Sequence, residues 1–249
     1  MTAEIHAIVF DMDGVLIDSH PVHRAAWHEF LRTLSVDVSE HDLAFILEGG
    51  TRADILRHFL GDLPPADLLE YGRRKDEIFR SLEHEIQPAP GVLAFLREVE
   101  RAGLGRAVAT SASEIRTAST LERMGLGGYF DAVITAADVV VGKPNPRVYQ
   151  LACERMNIRP WNTLAFDDAP AGVLAARSAG LRCVGVSSNG ATQSLLNAGA
   201  ERVVSGFSGL ALGQILPGNG ARSKNPPAIA WSPEKLPQVT NSRGETSNR

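Results

Sequence analysis

The sequence predicts an α/β fold: a parallel sheet covered by helices on both faces, with one large helical insertion. Short apolar runs of strand length alternate with helical stretches along most of the chain. Residues 11–103, between the first two of these runs, hold far more chain than a crossover needs. Acidic, hydroxyl and basic residues stand just past the carboxyl ends of the runs, where open parallel sheets bind ligands.

The strands follow in order. "IHAIVF" (5–10) leads into an acidic turn, and "LGRAVAT" (104–110) precedes a helical stretch ending near "ERMGLGG". "FDAVITA" (130–136), "NTLAFDD" (162–168), "LRCVGVS" (181–187) and "ERVVS" (201–205) complete the set. Helical patterns at 92–102, 146–156, 170–179 and 191–198 separate them. Near-continuous apolar strands with helices between them indicate burial on both faces. Residues 20–84 read as helices alone: "HRAAWHEFLRTL", "EHDLAFIL", "RADILRHFL" and "ADLLEYGRRKDEIFRSL", punctuated by Gly49-Gly50 and Pro64-Pro65. This predicts a core from residues 1–19 and 85–216 with a helical domain at 20–84 inserted. Residues 217–249 are rich in Pro, Ser and Asn without apolar periodicity and read as a disordered tail.

Composition narrows the function. The chain has 249 residues, of which 44% are hydrophobic and 22% charged, enough for a sizeable core. A net charge of −4 disfavours nucleic acid as a partner, because phosphate backbones are bound by clustered cations. No run is long enough to span a membrane, and the start lacks a cationic segment before an apolar one. Cys153 and Cys183 form no CxxC pair. A reduced, cytoplasmic protein is the expectation; the oligomeric state stays open, with a monomer compatible.

The strand ends carry the chemistry. Asp11-Met12-Asp13-Gly14 closes the first run, with Asp18 shortly after, Thr110-Ser111 the second and Asp167-Asp168 the fourth. Lys143 in "VGKPNP" follows the third. Acidic groups converging in one crevice suit a hard divalent cation such as Mg²⁺. A lysine and a hydroxyl opposite it suit an anion, and together they suit a phosphoryl group. One aspartate can then act as nucleophile and the second as acid and base. Each element alone has a plainer reading, as an acidic turn, a helix cap or a solvated lysine; their joint placement favours a site.

The motifs "FDMDGVLIDS", "VATSAS", "GKPNP" and "FDDAPAGVLAARSAG" resemble those of haloacid dehalogenase-like hydrolases, in the subgroup of sugar-phosphate phosphatases and β-phosphoglucomutase. The resemblance spans about residues 5–216. It implies a Rossmann-like, doubly wound core with an inserted helical cap. It also implies Asp11 as nucleophile, Asp13 as general acid/base, Thr110 and Ser111 as phosphate donors, and Lys143 as charge balance. Mg²⁺ would be held by the Asp11 carboxylate, the Asp13 carbonyl and Asp168, with Asp167 in support. Two positions depart from the family pattern. Asp167 stands where a longer glutamate is usual, and Arg147 stands where an acid is usual.

Substrate choice is expected to lie with the cap. His23 and Trp27 share a helix face, although Trp27 fits a core position equally. Arg52, in "EGGTRAD", and Lys75, in "GRRKDE", are candidate anion clamps or simply solvated helix charges. After the second motif the chain reads Ala112-Ser113-Glu114, where the resemblance would place a mutase's Ser-Lys-Asn run, and Glu48 replaces a lysine. Acids there would repel a second phosphate. A small-molecule phosphate ester, such as a sugar or polyol phosphate, is therefore the expected substrate of a phosphomonoesterase. A phosphosugar mutase is the alternative. A non-catalytic binding protein on the same fold is disfavoured, because Asp11, Asp13, Lys143 and Asp168 are all present.

Overall fold

The computed structural model describes residues 4–39, 42, 46, 52–187 and 192–216. Glu48, Gly49-Gly50, most of "EHDLAFIL" and the tail lie outside them.

Six strands form one parallel sheet: β1 (Ala7–Phe10), β4 (Gly105–Ala109), β5 (Ala132–Ile134), β6 (Thr163–Asp167), β7 (Arg182–Val186) and β8 (Arg202–Val204). Their spatial order is β5-β4-β1-β6-β7-β8. The chain winds outward on one side of β1 and then returns to its other side, so the topological switch lies between β1 and β6. Phe10 pairs with both Val108 and Phe166, which sets the carboxyl ends of three strands at one level. Asp11, Thr110 and Asp167 thus reach one edge of the sheet. This is the crevice where such sheets take ligands.

Alternation along β1 builds two cores. Ile8 and Phe10 face one side, under α4 (Val92–Arg101), α5 (Glu114–Arg123) and α9 (Leu212–Ile215). There Phe10 stacks on Phe166 at 5.5 Å, with Phe95 and Phe207 against both. Each such buried ring stabilises the fold by roughly 1.5–3 kcal/mol relative to exposure. Val9 faces the other side, under α6 (Arg147–Met156), α7 (Pro170–Ser178) and α8 (Thr192–Asn197). That core is rich in alanine, including Ala107, Ala109, Ala165, Ala175 and Ala176. Small side chains bring its helices close to the sheet.

α1 (His20–Thr33), α2 (Arg52–Leu60) and α3 (Pro65–Leu82) lie between β1 and β4 in sequence. Trp27, Phe30, Leu31, Ile55 and Leu56 form their own apolar cluster. The chain leaves and re-enters the core through a two-stranded antiparallel pair, β2 (Ile17–Asp18) with β3 (Gln87–Pro88). Sequence patterning missed this stem because each strand is only 2 residues long. Asp18 lies on it, exposed. Both cysteines are free and buried. Among the described residues no helix is long and apolar enough to cross a membrane.

Candidate active site

Asp11 leaves β1 with its N–H donating to the Phe166 carbonyl, so its position is fixed by the sheet. The turn after it depends on Gly14, whose φ of +72° is left-handed. A Cβ there would sit 2.1 Å from Asp168 Oδ2 and 2.6 Å from His20 Nε2. The glycine therefore serves both the turn and the close approach of the Asp168 loop.

Lys143 joins two carboxylates. Its Nζ donates to Asp11 Oδ1 at 2.6 Å and to Asp167 Oδ2 at 2.8 Å. Burial disfavours the ammonium, but Asp11 and Asp167 outweigh it and raise the Lys143 pKa. Burial, together with repulsion from Asp167 and Asp168, holds the Asp11 carboxyl well above its ordinary value despite Lys143. One lysine does not neutralise the anions gathered here. Asp168 is likewise raised by burial, partly offset by His20, whose Nε2 lies 2.7 Å from Asp168 Oδ2.

Asp13 sits in contrasting surroundings. Arg116, in the first turn of α5, donates to both its oxygens at 2.7 Å, while the same guanidinium donates to Glu83 at 2.8 Å. His23 Nε2 is 3.8 Å from Asp13 Oδ1. Burial opposes the Asp13 charge, but Arg116 and His23 outweigh it and hold the carboxyl well below its usual range. Nothing local singles out Arg116, because an arginine just past the helix cap Ser113 looks like a solvated charge.

The remaining predicted residues divide. Lys75 is not a solvated helix charge: it is 5% exposed, 3.3 Å from His23 Nδ1, with its ammonium over the Phe79 and Trp27 rings. Burial lowers its pKa to about 8. His23 stacks on Phe79 at 4.3 Å, and burial lowers its pKa. Trp27 packs in the helical cluster, as its core reading required. Arg52 is half-exposed and paired with Asp76 at 2.8 Å. Thr110 is buried, its Oγ1 accepting from Ala112 N–H. Thr110, Ser111 and Lys143 line a cavity of about 230 Å³. Arg147 pairs with Glu154.

The donor set suits Mg²⁺. Asp11 and Asp168 offer hard carboxylate oxygens whose charges burial and mutual repulsion leave under-compensated, a condition that a dication relieves. Among the described residues no three His, Cys, Asp or Glu side chains form a metal cage. Two carboxylates and a backbone carbonyl need only two such side chains.

The family model for haloacid dehalogenase-like hydrolases matches residues 5–180. The chain belongs to this family. Its relatives among the haloacid dehalogenase-like hydrolases include Protein CbbY of Cereibacter sphaeroides, 36% identical over 83% of this chain and 94% of the relative. The phosphorylated carbohydrates phosphatase of Thermotoga maritima is 33% identical over 80% and 94%. Among solved structures, CbbY from Rhodobacter sphaeroides in complex with phosphate superposes with a TM-score of 0.65, at 32% identity over 82% of this chain and 95% of that one.

Proposed function

We propose that this protein is a Mg²⁺-dependent phosphomonoesterase that hydrolyses a small phosphorylated sugar or polyol through an aspartyl phosphate on Asp11. The observation that carries the reading is the Lys143 ammonium held 2.6 Å from an Asp11 carboxylate at the switch point of the sheet. The name of the Thermotoga relative supports the substrate class.

In this reading Asp11, the Asp13 carbonyl and Asp168 hold the metal. When bound, Mg²⁺ supplies positive charge for the phosphoryl oxygens and lets the Asp11 carboxylate approach them. Thr110 and Ser111 orient the phosphoryl group, and Lys143 balances the charge on it and on Asp11. An Asp11 oxygen attacks phosphorus, the phosphorus–ester oxygen bond breaks, and Asp13 gives its proton to the departing alkoxide. Asp13 then takes a proton from water as the water oxygen attacks phosphorus. Phosphate departs and the Asp11 carboxylate is regenerated. Because Arg116 holds Asp13 in its ionised form, Asp13 must be loosened from that clamp before it can act as an acid.

Residues 20–84 act as a cap on a core of 1–19 and 85–216, with the β2–β3 stem as the connection. His23, Lys75 and Arg52 recognise the sugar or polyol end. Phosphate release across a panel of metabolite monophosphates tests the proposal. Turnover of sugar or polyol phosphates that disappears in Asp11→Asn supports it. Failure to hydrolyse any of them, or turnover surviving that substitution, refutes it. Supplying β-glucose 1-phosphate with a trace of the bisphosphate separates the mutase alternative, which makes glucose 6-phosphate without free phosphate. The Glu114 charge beside the second motif favours the phosphatase.

A further inference from the structure

Tyr149 lies outside every role assigned so far, yet its hydroxyl is the shortest contact to Asp167, at 2.5 Å from Oδ2. It is fully buried in the first turn of α6, on the face that packs against the sheet. A phenol carried into an apolar core needs a partner for its hydroxyl, and here the partner is charged. The same Asp167 oxygen accepts from Lys143, and Asp167 Oδ1 accepts from the Ala169 N–H at 3.0 Å. The Lys143 ammonium stands 5.0 Å from the Tyr149 ring centroid. Tyr149 therefore meets Lys143 directly through its ring and indirectly through Asp167.

The space around Asp167 is shaped for this short carboxylate. A Cβ on Gly172 would fall 1.9–2.1 Å from its carboxyl atoms. With both oxygens engaged by Tyr149, Lys143 and Ala169, Asp167 faces the lysine. The sequence-based expectation put Asp167 beside the metal. The geometry points to a different division of work: Tyr149 and Asp167 are a positioning pair that fixes Lys143 against Asp11. This rests on the phosphatase reading. It adds that the short Asp167, where a glutamate is usual, holds the lysine directly and is itself held by the tyrosine hydroxyl. Tyr149 touches no reacting atom and is a positioning residue.

Tyr149→Phe removes only the hydroxyl, and Asp167→Asn removes the charge at nearly constant size. Steady-state kinetics with titrated Mg²⁺, alongside thermal melts, read out both. The expected result for Tyr149→Phe is a roughly tenfold fall in kcat, from losing one hydrogen bond to a charged group. KM and the Mg²⁺ concentration for half-activation should stay unchanged. Asp167→Asn should lower kcat further, and the double variant should match Asp167→Asn alone, since the hydroxyl acts only through that carboxylate. A wild-type kcat in Tyr149→Phe, with or without a lowered melting temperature, overturns the inference. So does a rise in the Mg²⁺ requirement of Asp167→Asn, which would return that residue to the metal. If Tyr149→Phe does not fold, Asp167→Asn decides by its Mg²⁺ requirement. Activity surviving in Asp11→Asn would instead defeat the phosphatase reading, so the two failures are distinct.

Discussion

Asp11 and Asp13 stand on either side of Met12 and live in opposite electrostatic settings. Asp11 is buried, shares one lysine with Asp167 and feels Asp168 as well, so its carboxyl is driven up. Asp13 has both oxygens on Arg116, with His23 beyond, and its carboxyl is driven down. The repeated acid in the motif is therefore not a repeated environment. Anions in excess around Lys143 suit a dication, as the proposed function requires. The Asp13 carboxylate is already paired within the protein, so in the proposed mechanism it can carry a proton only after Arg116 lets go of it.

The sharpest break of this contrast is Asp11→Asn. It should abolish hydrolysis of an aryl phosphate while the far-ultraviolet circular dichroism stays native, because the nucleophile is lost and the fold is not. Chelation should likewise silence the enzyme, and added Mg²⁺ should restore it; full activity in excess chelator contradicts the dication. On the other side, Asp13→Ala should slow phosphate release by roughly 10²–10⁴-fold, the usual contribution of an acid–base group.

Arg116→Met removes the cation that sets Asp13 apart from Asp11. Stripping a charged partner should cost roughly 1–3 kcal/mol at neutral pH by chemical denaturation. The sign with pH follows from linkage. Asp13 is depressed below its ordinary 3.8, so it contributes stability above that value and loses it as pH falls through the folded pKa. The variant should lack that acid-side loss; an unchanged acid limb would mean that Asp13 is not the group Arg116 stabilises.

The smallest effect lies in the cap. Lys75 loses its proton near pH 8, so if it grips an anionic substrate, KM should climb as pH passes that point. Lys75→Met should show the higher KM throughout and no such climb. Stability moves separately: the folded state binds this proton less readily than the unfolded chain, so wild-type stability should rise between about pH 8 and 10.5. The variant's stability should stay flat there.

The six sheet strands were legible because apolar runs buried on both faces leave a plain mark in the sequence. The groups at their ends were legible because strand ends converge by topology. What stayed hidden depends on long-range partners. Arg116 reaches Asp13 across 103 positions and Glu83 across 33, and nothing local distinguishes it from a surface charge. Sequence left Lys75 open between an anion clamp and a solvated charge, because its aromatic cover, Trp27 and Phe79, comes partly from another helix and partly from its own later turn. Tyr149 did leave a signal, a phenol on the apolar face of α6 beside Val148, Ala152 and Cys153. A hydroxyl there demands a buried acceptor, and the aspartates ending β6 were the candidates. His20 stayed hidden behind His23, although it is His20 that meets Asp168.

The most direct test is to trap the intermediate. Asp13→Ala, mixed with a radiolabelled phosphomonoester and quenched in acid within one turnover, should carry the label on the peptide containing residue 11. The same experiment with Asp11→Asn should carry none. Label on another residue, or product formed in a single turnover of Asp13→Ala with the protein never labelled, would contradict Asp11 as the attacking group.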